Sequence, residues 1–308
     1  MVHWKSPIID LGTCMGSRLF IKREDLIPFS FGGNKARKAQ LFFREIEEGG
    51  YDCVVTYGSG SSNHCRVVAN ECCRRGIRCC IVSPEGEEEP TFNRQMMRIF
   101  GASITQVPVS EVHDTIEAVC EQQAREGKKV FFIPGGGHGN TGTQAYADCY
   151  EEIREYEEKN DVWFDYVFLA SGTGTTQAGL VSAQLKAGDE RKIIGISIAR
   201  KNPYGRNVVL DSIRDYLGEG ASSEEIQKKT IFLDDYTGEG YGKGNPEICR
   251  LIDDVMKEHG IPLDVTYTGK AFYGMKKYLE RNSAAGKHVL FLHTGGTPLF
   301  FDYLRERG

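Results

Sequence analysis

The residue with the most chemical promise is Lys35, in the octapeptide FGGNKARK at 31–38. Gly32 and Gly33 permit tight or positive-φ backbone, and Asn34 is a residue type that caps helices, directly before a helical pattern over 35–48. A lysine held at such a turn reaches into a cleft, and it becomes a nucleophile toward aldehydes when burial or a neighbouring cation lowers its pKa. Schiff-base linkage to pyridoxal phosphate is the commonest use of that reactivity. Lys38, one turn further on, projects from the same side of the helix start, where unpaired backbone N–H groups favour an anion. The octapeptide alone leaves a second reading open, a solvated lysine at a helix start.

Three further stretches have the right residue types. SGTGTT at 171–176 ends a buried strand and opens a helix. Gly172 and Gly174 let the backbone close around an anion, Thr173, Thr175 and Thr176 add hydroxyl donors, and the helix start adds N–H groups, so a phosphate fits. The stretch is neither a Walker loop nor a GxGxxG dinucleotide fingerprint. HTGGTP at 293–298 follows another buried strand, with Thr294 the polar side chain nearest the strand end. GSGSSNH at 58–64 sits between a strand and a helix, where α/β proteins place ligands. Tyr267, in YTG at 267–269, is open to a simple core-packing role.

The elements that must position these loops alternate along the chain. Strands are expected at 18–22, 52–58, 77–84, around 104–109, at 128–137, 163–172, 192–199, 231–236 and 288–293. A strand-like run is also read at 263–267. Helices are expected at 35–48, 65–76, 91–101, 110–127, 143–159, 176–187, 206–217, 246–260 and 269–283, with one more closing the chain. Residues 85–90 read as a solvated acidic loop and 218–229 as an exposed polar stretch. Such alternation predicts an α/β protein, doubly wound, with mainly parallel sheets.

Composition narrows the classes. The chain has 308 residues, enough for one large domain or two, and 38 basic against 43 acidic residues give a net charge of -5, which offers no footprint for nucleic acid. The longest apolar runs are strand-sized, so no membrane span is expected. The opening MVHWKSPIIDLG lacks a basic segment followed by an apolar one, which predicts a cytoplasmic protein. Ten cysteines are then expected as thiols; the CC-x5-CC pattern of Cys72, Cys73, Cys79 and Cys80 is no recognised zinc spacing, and no metal site is predicted.

Taken in order, GGNK, SSNH, SGTGTT, YTGK and HTGG resemble the D-cysteine desulfhydrase and 1-aminocyclopropane-1-carboxylate deaminase family of fold-type II pyridoxal phosphate enzymes, from IKRED at 21 to HTGGTP at 298. The resemblance implies that Lys35 bonds covalently to pyridoxal 5'-phosphate, and that Lys38 with Gly172, Thr173, Gly174, Thr175 and Thr176 holds its phosphate. Ser62 would bind the substrate carboxylate and Asn63 the cofactor's phenolic oxygen. Tyr267 would stack on the ring, Tyr241 would reach the substrate, and Thr294 would meet the pyridine nitrogen. Lys35, Ser62, Tyr241 and Tyr267 are thus the candidate catalytic residues, with Ser61, His64 and Thr268 as further substrate contacts. Two domains are implied, a larger cofactor domain of residues 1–44 and 156–308 and a smaller inserted one of 45–155, usually in a homodimer.

The 1-aminocyclopropane-1-carboxylate deaminases of the family carry Glu and Leu where this chain has Thr268 and Thr294. The resemblance therefore favours a β-eliminating lyase that takes a small amino acid, D-cysteine, to pyruvate, hydrogen sulfide and ammonia. A deaminase or lyase acting on another small polar or β-substituted amino acid is the alternative, and a non-catalytic cofactor carrier a third reading. A carrier would not need a carboxylate-binding serine. The chain departs from the family at Ser61 and in IPGGGHGNTG (133–142), where His138 is either a plain loop histidine or a contact to a substrate side chain.

Overall fold

The computed structural model describes residues 4–86, 91–238, 240–282 and 284–307; positions 87–90 of the expected acidic loop lie outside them. Two sheets organise the chain. The larger takes β1 (Ile8–Cys14), β2 (Ser17–Arg23), β7 (Tyr166–Ser171), β8 (Lys192–Ser197), β9 (Ile231–Leu233) and β10 (His288–His293) in the order β1-β2-β10-β7-β8-β9. Only the β1–β2 pair is antiparallel. The smaller takes β3 (Cys53–Tyr57), β4 (Arg78–Pro84), β5 (Ser103–Val107) and β6 (Val130–Ile133) in the order β5-β4-β3-β6, all parallel.

The central strands are apolar on both faces because helices cover both: every residue of β7 is buried, as are Val289 to His293 of β10. Helix α1 (Asn34–Glu48) buries Ala36, Ala39, Phe43 and Ile46, a helical spacing that seats one face. Helices α2 (Asn63–Arg75), α3 (Phe92–Ile99) and α4 (Val112–Arg125) flank the small sheet. Helix α5 (Asn140–Asn160) crosses α6 (Thr175–Ala187) closely at Gly179, where a Cβ would lie 2.2 Å from the Thr143 carbonyl oxygen. Tyr146, Tyr150 and Ile153 of α5 share a core with β7 and β10, so the expected boundary at 155/156 falls inside a helix packed on the larger sheet. No described helix is long and apolar enough to cross a membrane. All ten cysteines are free thiols.

Four expectations need correcting. β1 was not anticipated; its apolar residues are only half-buried at a sheet edge, so the pattern is weak. Residues 263–267 form no strand, because Asp264 folds the segment into a turn, accepting from the backbone N–H groups of Thr266, Tyr267 and Thr268. The stretch 218–229 is mostly exposed as expected, with Ile226 buried, but it contains an unanticipated helix, α8 (Ser223–Lys229), begun by a capping box between Ser222 and Glu225. Asn34 is not a cap: Gly33, at φ 93°, holds that position, and Asn34 donates its amide to the Thr176 hydroxyl at 3.0 Å.

Candidate active site

The C-terminal ends of parallel strands from both sheets face one cavity of about 410 Å³. Lys35 stands on its wall, at the first turn of α1, and donates its Nζ to the Gly136 carbonyl at 3.0 Å. Burial pushes its pKa down to about 8. Lys38 shares that carbonyl at 3.5 Å and donates to the Thr175 hydroxyl at 2.5 Å; burial, and then the charge of Lys35, hold it well below the ordinary lysine range.

Two glycine turns must touch for Lys35 to stand there. A Cβ on Gly33 would lie 2.8 Å from the Thr294 carbonyl oxygen, and one on Gly295, at φ 98°, would lie 2.6 Å from the Gly33 Cα. The Asn34 backbone N–H closes the contact on the Thr294 carbonyl at 2.9 Å. Gly295→Ala is therefore expected to destabilise the fold by about 2 kcal/mol or more, through backbone clash and positive-φ strain. A lowered denaturant midpoint checks it, and an unchanged one would mean that the turns do not need this approach.

The serine-rich loop behaves as a helix start. Ser62 is the N-cap of α2, accepting from the Cys65 backbone at 3.2 Å, and Ser62, Asn63 and His64 all line the cavity. The Thr56 hydroxyl gives its proton to the Ile133 carbonyl at 2.7 Å, so His64 Nε2, 2.8 Å away, must donate to it. Burial, helped by the Lys35 and Lys38 charges, holds His64 well below the usual range and keeps the ring neutral.

Gly172, Thr173, Gly174 and Thr176 line the cavity beside the start of α6, as a phosphate-binding turn requires. Thr294 also lines it, at the end of β10. Tyr267 and Tyr241 form the facing wall, their hydroxyls 2.5 Å apart and their rings nearly perpendicular at 84°. Burial raises the pKa of both, so they carry their protons at neutral pH.

Five of the anticipated residues stand outside the lining. Lys38 and Thr175 bond to each other behind the phosphate turn. Ser61 stands one step back, its hydroxyl bonded to those of Ser59 and Tyr241, which do line the cavity. Thr268 is fully buried, donating to the Asp264 carboxylate at 2.7 Å, so it fixes the Tyr267 turn and touches no ligand. His138 lines a neighbouring cavity of about 340 Å³, which shares Tyr57, Gly135, Thr173 and Arg200 with the first.

Sequence reasoning missed several supports. Lys270 donates to the carbonyls of Ile198 and Thr237, tying the end of β8 to the loop that carries Tyr241. Its place in YTGK was noted without a role. Glu24, Arg37, Glu152, Lys22 and Tyr146 form a buried polar cluster beneath α1. The basic-then-acidic run of IKRED, Lys22 and Arg23 before Glu24 and Asp25, marks only part of it in the sequence.

Residues 2–295 match the family described as pyridoxal-phosphate dependent enzyme. The chain belongs to that family. It is 32% identical over 315 residues, 99% of this chain and 93% of the other, to a Pyrococcus abyssi protein that carries the provisional name 1-aminocyclopropane-1-carboxylate deaminase. It is 29% identical over 303 residues, 95% of this chain and 91% of the other, to the D-cysteine desulfhydrase of Serratia proteamaculans. A crystal structure described as an ACC deaminase homologue superposes with a TM-score of 0.87 at 30% identity, covering 98% of this chain and 93% of that one. This is a fold-type II enzyme of the D-cysteine desulfhydrase and ACC deaminase family, dependent on pyridoxal phosphate.

The cavity fits that cofactor. It offers a lysine of lowered pKa, a glycine-threonine turn at a helix start for the phosphate, and a tyrosine wall for the ring.

Proposed function

We propose that the enzyme is a β-eliminating lyase converting D-cysteine and water to pyruvate, hydrogen sulfide and ammonia. The observation that carries the reading is the set of groups around Lys35: neutral hydroxyls and amides line the cavity, and no described lining residue is a carboxylate. The Thr294 hydroxyl, rather than an acid, is the group offered at the end of β10. Glutamate in place of Thr268 would have to share a fully buried space with the Asp264 carboxylate, an arrangement opposed by like-charge repulsion.

When bound, pyridoxal phosphate supplies an electron sink that labilises the α-proton of an amino acid. Lys35 would hold the cofactor and, with its nitrogen free, would take up the substrate's α-proton on Nζ; its lowered pKa keeps an appreciable fraction of that nitrogen neutral. The Ser62 hydroxyl and the N–H groups at the start of α2 orient the substrate carboxylate. Thr173, Thr176 and the backbone at the start of α6 would hold the phosphate, with Lys38 placing Thr175 behind them. Asn63 would donate to the phenolic oxygen, and Tyr267 would pack on the ring; both line the cavity. Tyr241, protonated and bonded to Tyr267, would offer a hydrogen bond to the departing thiolate.

The test is a panel of D-cysteine, L-cysteine and 1-aminocyclopropane-1-carboxylate, following sulfide and 2-oxo acids. Pyruvate and sulfide in equal amounts from D-cysteine are expected, with little 2-oxobutyrate from the cyclopropane. The reverse pattern would assign the enzyme to ring opening.

A further inference from the structure

We propose that Arg66 is a positioning residue for the cofactor: with Asn93 it locks the Asn63 amide so that its N–H2 end faces the cavity, and its charge strengthens that donor. The inference rests on the reading of Asn63 given above. Arg66, on α2, and Asn93, on α3, are both wholly buried. Arg66 donates its Nε to Asn93 Oδ1 at 2.8 Å, its Nη1 to the Ser30 hydroxyl at 2.8 Å and its Nη2 to Asn63 Oδ1 at 3.4 Å. Asn93 uses its own Nδ2 on the Ser61 carbonyl at 2.7 Å and on Asn63 Oδ1 at 3.0 Å.

These contacts determine the orientation of Asn63. Its oxygen receives two donors on the protein side, so the amide nitrogen is the end left for the cavity that Asn63 lines. A flipped amide would set its N–H2 against two N–H donors, at the cost of both bonds. The three hydrogen-bond partners of Arg66 are neutral, and burial alone pulls its pKa down to about 9. A positive charge held without a carboxylate polarises the Asn63 amide, and an oxygen bonded there is favoured as an anion. The same guanidinium holds Ser30, at φ 47°, and lies over the Phe31 ring at 5.8 Å, in the turn that delivers Lys35. A purely structural staple would need only the Ser30 bond.

The ionisable groups facing the cavity are Lys35 from α1, His64 from α2, Tyr57 from the end of β3, Arg200 after β8, and Tyr241 and Tyr267. All are kept in the test, which compares purified holoenzymes at one pH. The readout is the ratio of the visible band, from the ionised phenolic oxygen of the bound cofactor, to the near-ultraviolet band of its neutral form. Asn63→Ala sets the scale of losing the donor. Arg66→Met, which removes the charge and the fork, is expected to lower the ratio by about tenfold. Asn93→Asp keeps the shape, neutralises Arg66 and turns the Asn63 amide round, and lowers it likewise; Arg66→Lys restores part of it. If Arg66→Met does not fold, Asn93→Asp alone decides. A ratio that falls in Asn63→Ala but holds in the folded Arg66 and Asn93 variants overturns the inference and leaves the role of Asn63 standing. A ratio unmoved by Asn63→Ala overturns both.

Discussion

Lys35→Ala should lower kcat/KM by roughly 10³-fold or more, because in the proposed mechanism one side chain both holds the cofactor and moves the α-proton. The loss is expected with the fold intact: Lys35 makes one hydrogen bond, to the Gly136 carbonyl, and alanine at that helical position carries no strain. Lys38→Ala should behave differently. Its contacts run to Thr175 and to the same carbonyl behind the phosphate turn, so the variant should release the cofactor more readily while keeping its visible band when saturated. Cofactor titration followed by absorbance, beside activity, separates the two. A Lys35→Ala enzyme that keeps its activity at saturating cofactor would remove this lysine from the chemistry.

Arg37→Met should cost about 3–5 kcal/mol of stability, the largest effect expected outside the cavity. Arg37 is buried between two carboxylates, donating to Glu24 at 2.6 and 2.8 Å and to Glu152 at 2.7 and 2.9 Å. Lys22 and Tyr146 complete the cluster. Methionine fills much of the volume but leaves two buried acids sharing one lysine.

The sign with pH follows from Glu24. Burial raises its pKa, but the opposing charge and hydrogen bonds of Arg37 and the charge of Lys22 outweigh that and bring it from 4.5 to about 2. The stability it contributes is complete above 4.5 and is lost as the pH falls toward 2. Without Arg37 the folded carboxylate takes its proton at higher pH, so acid unfolding of the variant should begin earlier. Urea unfolding midpoints across pH 3 to 8 read both effects, and equal midpoints for the two proteins would contradict the role given to the cluster.

How much of this was legible in the chain depended on whether a residue's job is local. The glycine turns were readable, since Gly33, Gly174 and Gly295 each precede a helix or follow a buried strand and adopt positive φ there. Lys35, Ser62 and Thr294 followed from the same loops. The doubly wound order was readable from β7, β8 and β10, whose apolar runs have strand length. What escaped depends on partners distant in sequence. Thr268 was placed against the substrate by the family resemblance, yet the Asp264 carboxylate turns it inward. Arg37 and Glu152 stand 115 positions apart, and Asn93 and Asn63 stand 30 apart, so no periodicity links them. β1 was missed because an edge strand buries too little to leave an alternating pattern.

The most direct test of the account is chemical. Borohydride reduction of the holoenzyme fixes the lysine–cofactor linkage, and peptide mapping then finds the modified residue. The account predicts a single modified lysine, Lys35, although Lys38 is buried one helical turn away and shares its carbonyl partner. Modification of Lys38, or of a lysine outside the cavity, would contradict it.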